Sequence, residues 1–70
     1  MVAEIALERE LAIWADALAF DRENGEDGPE VIERRIAELR VSGAFEQAKW
    51  WNEVGQRLVR LYMIRAEPPQ

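Results

Sequence analysis

The sequence predicts an all-α fold, a compact three-helix unit with a tight turn between helix 2 and helix 3. Apolar residues recur at steps of three and four along three separate stretches, which is the spacing of one helix face. With the exception of Gly55, the glycines and prolines fall at the boundaries of those stretches. No stretch shows the alternating pattern that is typical of a strand.

Helix 1 is predicted over residues 2–24, because no glycine or proline interrupts it and Asn24-Gly25 supplies a stop. Acidic residues in its first turns are favourable, because they lie near the positive end of the helix dipole. The seam that we expect to face the core consists of Leu7, Leu11, Trp14 and Leu18, widened on one side by Ile13, Ala17 and Phe20.

Helix 2 is predicted over residues 29–41. Asp27 or Gly28 is suited to the N-cap, and Pro29 to the first helical position, where its missing N–H has no partner to lose. The side chains expected to point inward are Ile32, Ile36 and Leu39. Ser42-Gly43 ends this helix and leaves almost no linker, so helices 2 and 3 must form a tight hairpin or corner.

Helix 3 is predicted over residues 44–65, and its apolar arc is wider than the roughly 100° of a helix packed on one surface. We expect its core residues to be Trp51, Val54, Leu58 and Leu61. Trp50 points about 100° away from Trp51 and is expected at the core edge or against another chain. Two interpretations of Gly55 stay open. Either another backbone or a bulky ring comes close to it, or the helix merely tolerates a glycine at this position.

Residues 1–66 are expected to form one domain, followed by a disordered Pro-rich tail at 67–70. A chain of 70 residues is marginally stable unless something assists it. The chain has no cysteine and cannot form disulfides, so good helix packing and self-association remain as the ways to stabilise it.

Composition also limits the chemistry. Cysteine and histidine are both absent, so we expect no metal centre and no cofactor. The N-terminus has no basic region typical of a secretory signal, and no apolar run approaches about 18 residues. We therefore expect a cytoplasmic protein with no membrane contact.

The net charge of −5 is unevenly divided along the chain. Residues 1–33 hold ten acids and two arginines, a balance of −8, whereas residues 34–65 hold seven basic residues and three acids, a balance of +4. Three interpretations stay open: helices 1 and 3 pack with opposite charges at their margins, two copies associate, or an acidic patch meets a basic partner.

Catalysis is disfavoured. General acid–base chemistry needs a carboxyl group whose pKa is shifted by burial or by a partner. The acidic pairs at Asp21/Glu23 and Glu26/Asp27 lie in or beside a loop that we expect to be solvated. Ser42, the only serine, has no base near it in sequence. We therefore expect no enzymatic activity.

Nucleic-acid binding is weighed in two forms. A basic and aromatic strip on helix 3 would contain Lys49, Trp50, Arg57 and Arg60, but the acidic isoelectric point near 4.6 opposes phosphate approach. The opposite form is an acidic inhibitor of the phage or plasmid type that mimics nucleic acid. Its acidic patch would consist of Asp21, Glu23, Glu26, Asp27 and Glu30, with Asp16 and Glu33 beside it.

Protein binding is the leading hypothesis, with the acidic inhibitor as the alternative. We expect a small helical interaction or regulatory module whose partner is a second copy, as a homodimer, or another protein. The candidate interface residues are Trp50, Arg57 and Tyr62, because Trp, Tyr and Arg are enriched at interface hot spots.

The order of certain residues resembles a family of short, uncharacterised alphaproteobacterial proteins, common in sphingomonads and known only as a domain of unknown function. The resemblance covers roughly residues 10–62 and rests on Trp14-Ala15, Ala17-Leu18, Arg22, Asn24-Gly25-Glu26, Glu33-Arg34-Arg35-Ile36, Leu39, Gly43, Trp51, Gln56-Arg57-Leu58 and Leu61. This sequence departs from that family at Phe45-Glu46 and in having Trp50. The resemblance implies bacterial origin and a fold, and no activity.

Overall fold

The computed structural model describes residues 2–66 and the side chains from Glu4 onward, and in that range it is all-helical. The elements are α1 (Val2–Asn24), a single 3-10 turn (Gly25–Asp27), α2 (Gly28–Val41) and α3 (Phe45–Ala66). The predicted fold class is thus confirmed, and each predicted helix boundary agrees to within one residue. The tail predicted at 67–70 lies outside the described residues.

Both connections depend on a glycine with positive φ. Gly25, at φ +55°, follows the last residue of α1, and Gly43, at φ +83°, follows α2. Other residue types rarely adopt this left-handed conformation, so these two glycines fix where the helices end. After α2, the backbone N–H of Ser42 donates to the carbonyl of Glu38 at 3.0 Å, and that of Ala44 to Leu39 at 2.8 Å. The predicted tight turn between helices 2 and 3 is therefore confirmed.

The helices stack in two layers. α2 runs back along α3 to form a hairpin, and α1 packs on the same central helix while touching α2 much less. The shortest extent of the molecule, 16 Å, is about the thickness of two helices stacked at 8–10 Å. α1 therefore forms a layer of its own on one side of the hairpin.

The core lies where the three helices meet. It consists of Ile13, Ala17, Phe20, Ile32, Ala48, Val54 and Leu58. The Phe20 ring packs against the Trp51 ring with centroids 5.8 Å apart and planes tilted by 55°. The Arg35 guanidinium carbon lies 4.9 Å from the Trp51 ring centroid, so an arginine covers the outer side of this aromatic pair.

The expected core of α1 is wrong. The seam leucines Leu7, Leu11 and Leu18 are exposed. The buried residues are instead Ile13, Ala17 and Phe20, which the sequence interpretation placed at the margin. Other residues expected to be buried are confirmed (Ile32, Val54 and Leu58), while Trp14, Ile36, Leu39, Trp51 and Leu61 are only half-buried.

The reason for the difference is the charge beside each face. The buried face of α1 has polar residues on both margins whose partners lie on α3, namely Arg9, Glu10, Asp16 and Asp21. Turning the leucines toward α3 would rotate α1 by about 120° and move Arg9 and Asp16 away from their partners Glu53 and Trp50. Both faces are apolar, so apolar spacing alone does not identify the inner one.

The two helical glycines have different surroundings. A Cβ on the buried Gly28 would lie 3.0 Å from the Tyr62 hydroxyl and 3.1 Å from Leu58 Cδ2, so α2 begins in close contact with α3. A Cβ on Gly55 would meet only Ile32 side-chain atoms at 3.7 Å, an ordinary contact. Of the two interpretations left open for Gly55, the structure therefore favours simple tolerance over the close approach of a backbone or ring.

Candidate protein-interaction surface

Two charge pairs attach α1 to α3. Arg57 donates from Nε to Glu10 Oε1 at 2.8 Å and from Nη2 to Glu10 Oε2 at 2.6 Å. Arg65 donates to both carboxylate oxygens of Asp21, at 3.1 and 2.7 Å. Such two-bond contacts favour the ionised carboxylate, so the hydrogen bonds from these arginines lower the pKa of Glu10 and of Asp21.

A second group lies on the opposite margin of the same contact. Arg9 forms an ion pair with Glu53, and its hydrogen bond lowers the pKa of that carboxyl. Trp50 donates its indole N–H to Asp16 Oδ2 at 2.7 Å, and the Arg9 guanidinium carbon lies 5.6 Å from the Trp50 ring centroid. The Glu10–Arg57 and Asp21–Arg65 pairs account for part of the charge division, because in them acids of α1 meet arginines of α3 within one chain.

The structure places the three candidate interface residues inside this chain's own contacts. Trp50 is half-buried between α1 and α3, and Arg57 is held by Glu10. The Tyr62 hydroxyl donates to the carbonyl of Gly25 at 2.6 Å, and burial is the main cause that raises the pKa of Tyr62. These contacts give each residue a structural role, while contact with a partner stays a prediction.

The candidate acidic patch is brought together only in part. Glu23, Glu26, Asp27 and Glu30 are exposed around the 3-10 turn, but Asp21 is paired with Arg65.

The candidate basic strip is divided in the same way. Lys49 and Arg60 are exposed, whereas Arg57 already carries a carboxylate partner.

A different surface is apolar and open. Leu7 and Leu11 are each 60% exposed and Leu18 is 46% exposed, although all three lie on one face of α1. Trp14 belongs to the same row by its spacing and is half-buried. We call these four residues the outer leucine face. By the 100° step of a helix, the centre of this face lies about 120° around α1 from the buried face, so α1 has apolar residues on two sides and buries only one of them.

Other apolar side chains are exposed on the α2–α3 hairpin. They are Val41, Phe45, Val59, Met63 and Ile64. A shallow groove of about 200 Å³ also opens between α2 and α3, lined by Pro29, Ile32, Glu33, Ile36, Asn52, Gly55, Gln56 and Val59. These side chains are spread over several places, whereas the outer leucine face is a single row along one helix.

Sequence reasoning missed the outer leucine face because it assigned those leucines to the core. A signal was present, since α1 carries two apolar rows and a chain of this length has little core to cover both.

Within residues 2–66, no helix is both long enough and apolar enough to cross a membrane. In the same part of the chain, no three acidic side chains come together in a group that could hold a metal ion.

Comparison with protein families shows that a family of unknown function, DUF6961, matches residues 9–65 of the chain. The match covers nearly the stretch expected from the sequence and confirms membership in a family of unknown function, while the taxonomic group stays a prediction. Neither the curated proteins nor the solved structures contain a significant match.

Proposed function

We propose that this chain, which belongs to the DUF6961 family, is a small helical protein-interaction module that self-associates through the outer leucine face. The observation that carries the proposal is the exposure of Leu7, Leu11 and Leu18 in one row of a well-formed helix. Single exposed leucines are common on protein surfaces, but a continuous apolar row is typical of a site that another protein covers.

The architecture supports the same proposal. The radius of gyration is 13.5 Å, larger than the roughly 11 Å that is usual for 70 residues. The difference arises because α1 and α3 are 23 and 22 residues long and form two thin layers. Helices of a partner packed over α1 would cover the leucines and add a third layer to the two that one chain forms.

The alternative partner surfaces have weaker support. Among the candidate interface residues of α3, Trp50 and Arg57 are engaged with α1, and Tyr62 is engaged with the 3-10 turn. The acidic patch around the 3-10 turn is exposed, which a nucleic-acid-mimicking inhibitor would need, but a solvated turn has the same appearance. We also propose that the protein has no catalytic activity and that it is cytoplasmic.

The test is the mass of the protein in solution, measured by sedimentation equilibrium at micromolar and higher concentrations. The informative variant is Leu11→Gln, because it removes an exposed apolar side chain while keeping a good helix former. The matched control is Val41→Gln, since Val41 is 91% exposed at the far end of α2.

The parent and Val41→Gln should be dimeric at concentrations where Leu11→Gln is monomeric. Circular dichroism should show equal helix content in all three proteins. A parent that stays monomeric at high concentration would rule out self-association. A dimer that Leu11→Gln leaves intact would place the contact on another surface.

A further inference from the structure

We propose that the two copies pair antiparallel, with α1 of one chain against α1 of the other around a two-fold axis between residues 12 and 13. This arrangement rests on the self-association proposed above and adds the partner's orientation and register. It follows from the spacing of the outer leucine face, from the position of charges beside it, and from the shape of Trp14.

The spacing of the row is self-complementary in the antiparallel direction. The positions 7, 11, 14 and 18 are symmetric about their midpoint, so the face maps onto itself when one helix is reversed. Leu7 then packs against Leu18 of the second copy, and Leu11 packs against Trp14 of the second copy. Four apolar layers result, and each contains one residue from each chain.

The charges beside the face favour the same direction. Glu8 is exposed near the start of α1, and Arg22 is exposed in its last turn. In the antiparallel register, Glu8 of each chain lies about 7–8 Å along the axis from Arg22 of the other, within reach of the two long side chains, and this happens at both ends of the contact by symmetry. In a parallel pair, Glu8 of one chain and Arg22 of the other would lie about 21 Å apart along the axis and could not pair.

The large ring of Trp14 gives a third reason. In a parallel pair, Trp14 would face its own copy in one crowded layer, while Leu7, Leu11 and Leu18 would form smaller ones. In the antiparallel pair, each tryptophan faces a leucine, which distributes side-chain volume evenly along the contact. The antiparallel direction also opposes the two helix dipoles.

The experiment uses single-cysteine variants, which need no prior removal of native thiols because the sequence has no cysteine. Leu7→Cys and Leu18→Cys are prepared with tags of different mass, mixed, and oxidised mildly at a concentration where the parent is dimeric. A disulfide requires Cα atoms within about 7 Å. Residue 7 should lie opposite residue 18 of the second copy, whereas equal positions are about 16 Å apart along the axis.

The mixed disulfide between the two variants should exceed both same-variant disulfides several-fold. Val41→Cys replaces Leu18→Cys in the control mixture and measures random collisions. Same-variant disulfides in excess would show parallel pairing, which overturns this inference and leaves self-association standing.

Disulfides at the level of the Val41→Cys control in a protein that sediments as a dimer would move the contact away from α1. A parent that sediments as a monomer would overturn the proposed function itself.

Discussion

Gly28 and Gly55 differ in how much space surrounds them, although both lie at the contact between α2 and α3. Gly28 begins α2 with little room for a side chain, since the Tyr62 hydroxyl and Leu58 Cδ2 lie 3.0 and 3.1 Å from where a Cβ would be and must shift to admit one. Gly55 lies in the middle of α3 beside the groove and has ordinary space around it. Substitution by alanine should therefore have opposite effects at the two sites.

Gly28→Ala should destabilise the fold by about 1–3 kcal/mol, because overpacking must displace the fully buried Leu58 or the hydrogen-bonded Tyr62. Gly55→Ala should stabilise it by up to about 1 kcal/mol through helix propensity. Urea denaturation followed by circular dichroism measures both free energies of unfolding. Destabilisation by Gly55→Ala of the same size as by Gly28→Ala would contradict the different surroundings described for the two glycines.

The side-chain partners of Trp50 and Tyr62 could not be predicted from the sequence. The indole of Trp50 meets Asp16, 34 positions away, and the hydroxyl of Tyr62 meets a backbone carbonyl 37 positions away. Such contacts depend on how helices cross, and apolar spacing within one helix carries no information about that. A large aromatic residue at a margin is therefore compatible with both an internal contact and an interface.

The helix α1 is the element on which the interpretation of the molecule depends. Helix existence and boundaries could be predicted because they follow from local features, such as Asn24-Gly25 and Ser42-Gly43 at the ends. The inward face of α1 could not, because two apolar rows compete and the choice depends on charges that meet α3. The face also decides whether its leucines are core or interaction surface.

Substitutions on the two faces of α1 should separate these roles. Ile13→Ala removes a fully buried side chain and should cost about 2–5 kcal/mol, a large part of the total stability of a small domain. Leu11→Ala should cost less than about 1 kcal/mol when the chain is monomeric, because Leu11 is 60% exposed. Denaturation in dilute solution measures both. Equal costs, or a larger cost for Leu11→Ala, would restore the leucines to the core.

The ion pairs between α1 and α3 make stability depend on pH. Hydrogen bonds from Arg57, Arg65 and Arg9 lower the pKa of Glu10, Asp21 and Glu53 in the folded chain. The unfolded chain therefore binds protons at higher pH than the folded chain. The stabilisation is complete above the usual carboxylate pKa of about 4 and is lost as the pH falls through the lowered folded values.

The melting temperature should consequently decrease as the pH falls from about 5 to about 2. Glu10→Gln should lower it at neutral pH and make the acid-induced decrease smaller. Glu23→Gln, at an exposed position of the same helix, is the control and should follow the parent. Coincident profiles for Glu10→Gln and the parent would show that the Arg57 pair contributes nothing to stability.

The whole molecule is a helical hairpin with one helix laid across it, and its two-layer form leaves apolar residues on the outside. An all-α fold of three helices followed from composition and spacing alone. The candidate surface could not be predicted in this way, because it is the part of α1 that α3 leaves uncovered. That depends on the way the layers stack, which local sequence does not specify.

Self-association through the outer leucine face is tested most directly by nuclear magnetic resonance. The experiment measures contacts between copies in a mixture of isotope-labelled and unlabelled chains. Filtered nuclear Overhauser spectra detect only protons that are close across the contact. Antiparallel pairing of α1 predicts intermolecular signals from the methyl groups of Leu7, Leu11 and Leu18, with those of Leu11 reaching the Trp14 ring. Intermolecular signals confined to α3 methyl groups such as those of Met63 and Ile64, or none at millimolar concentration, would contradict it.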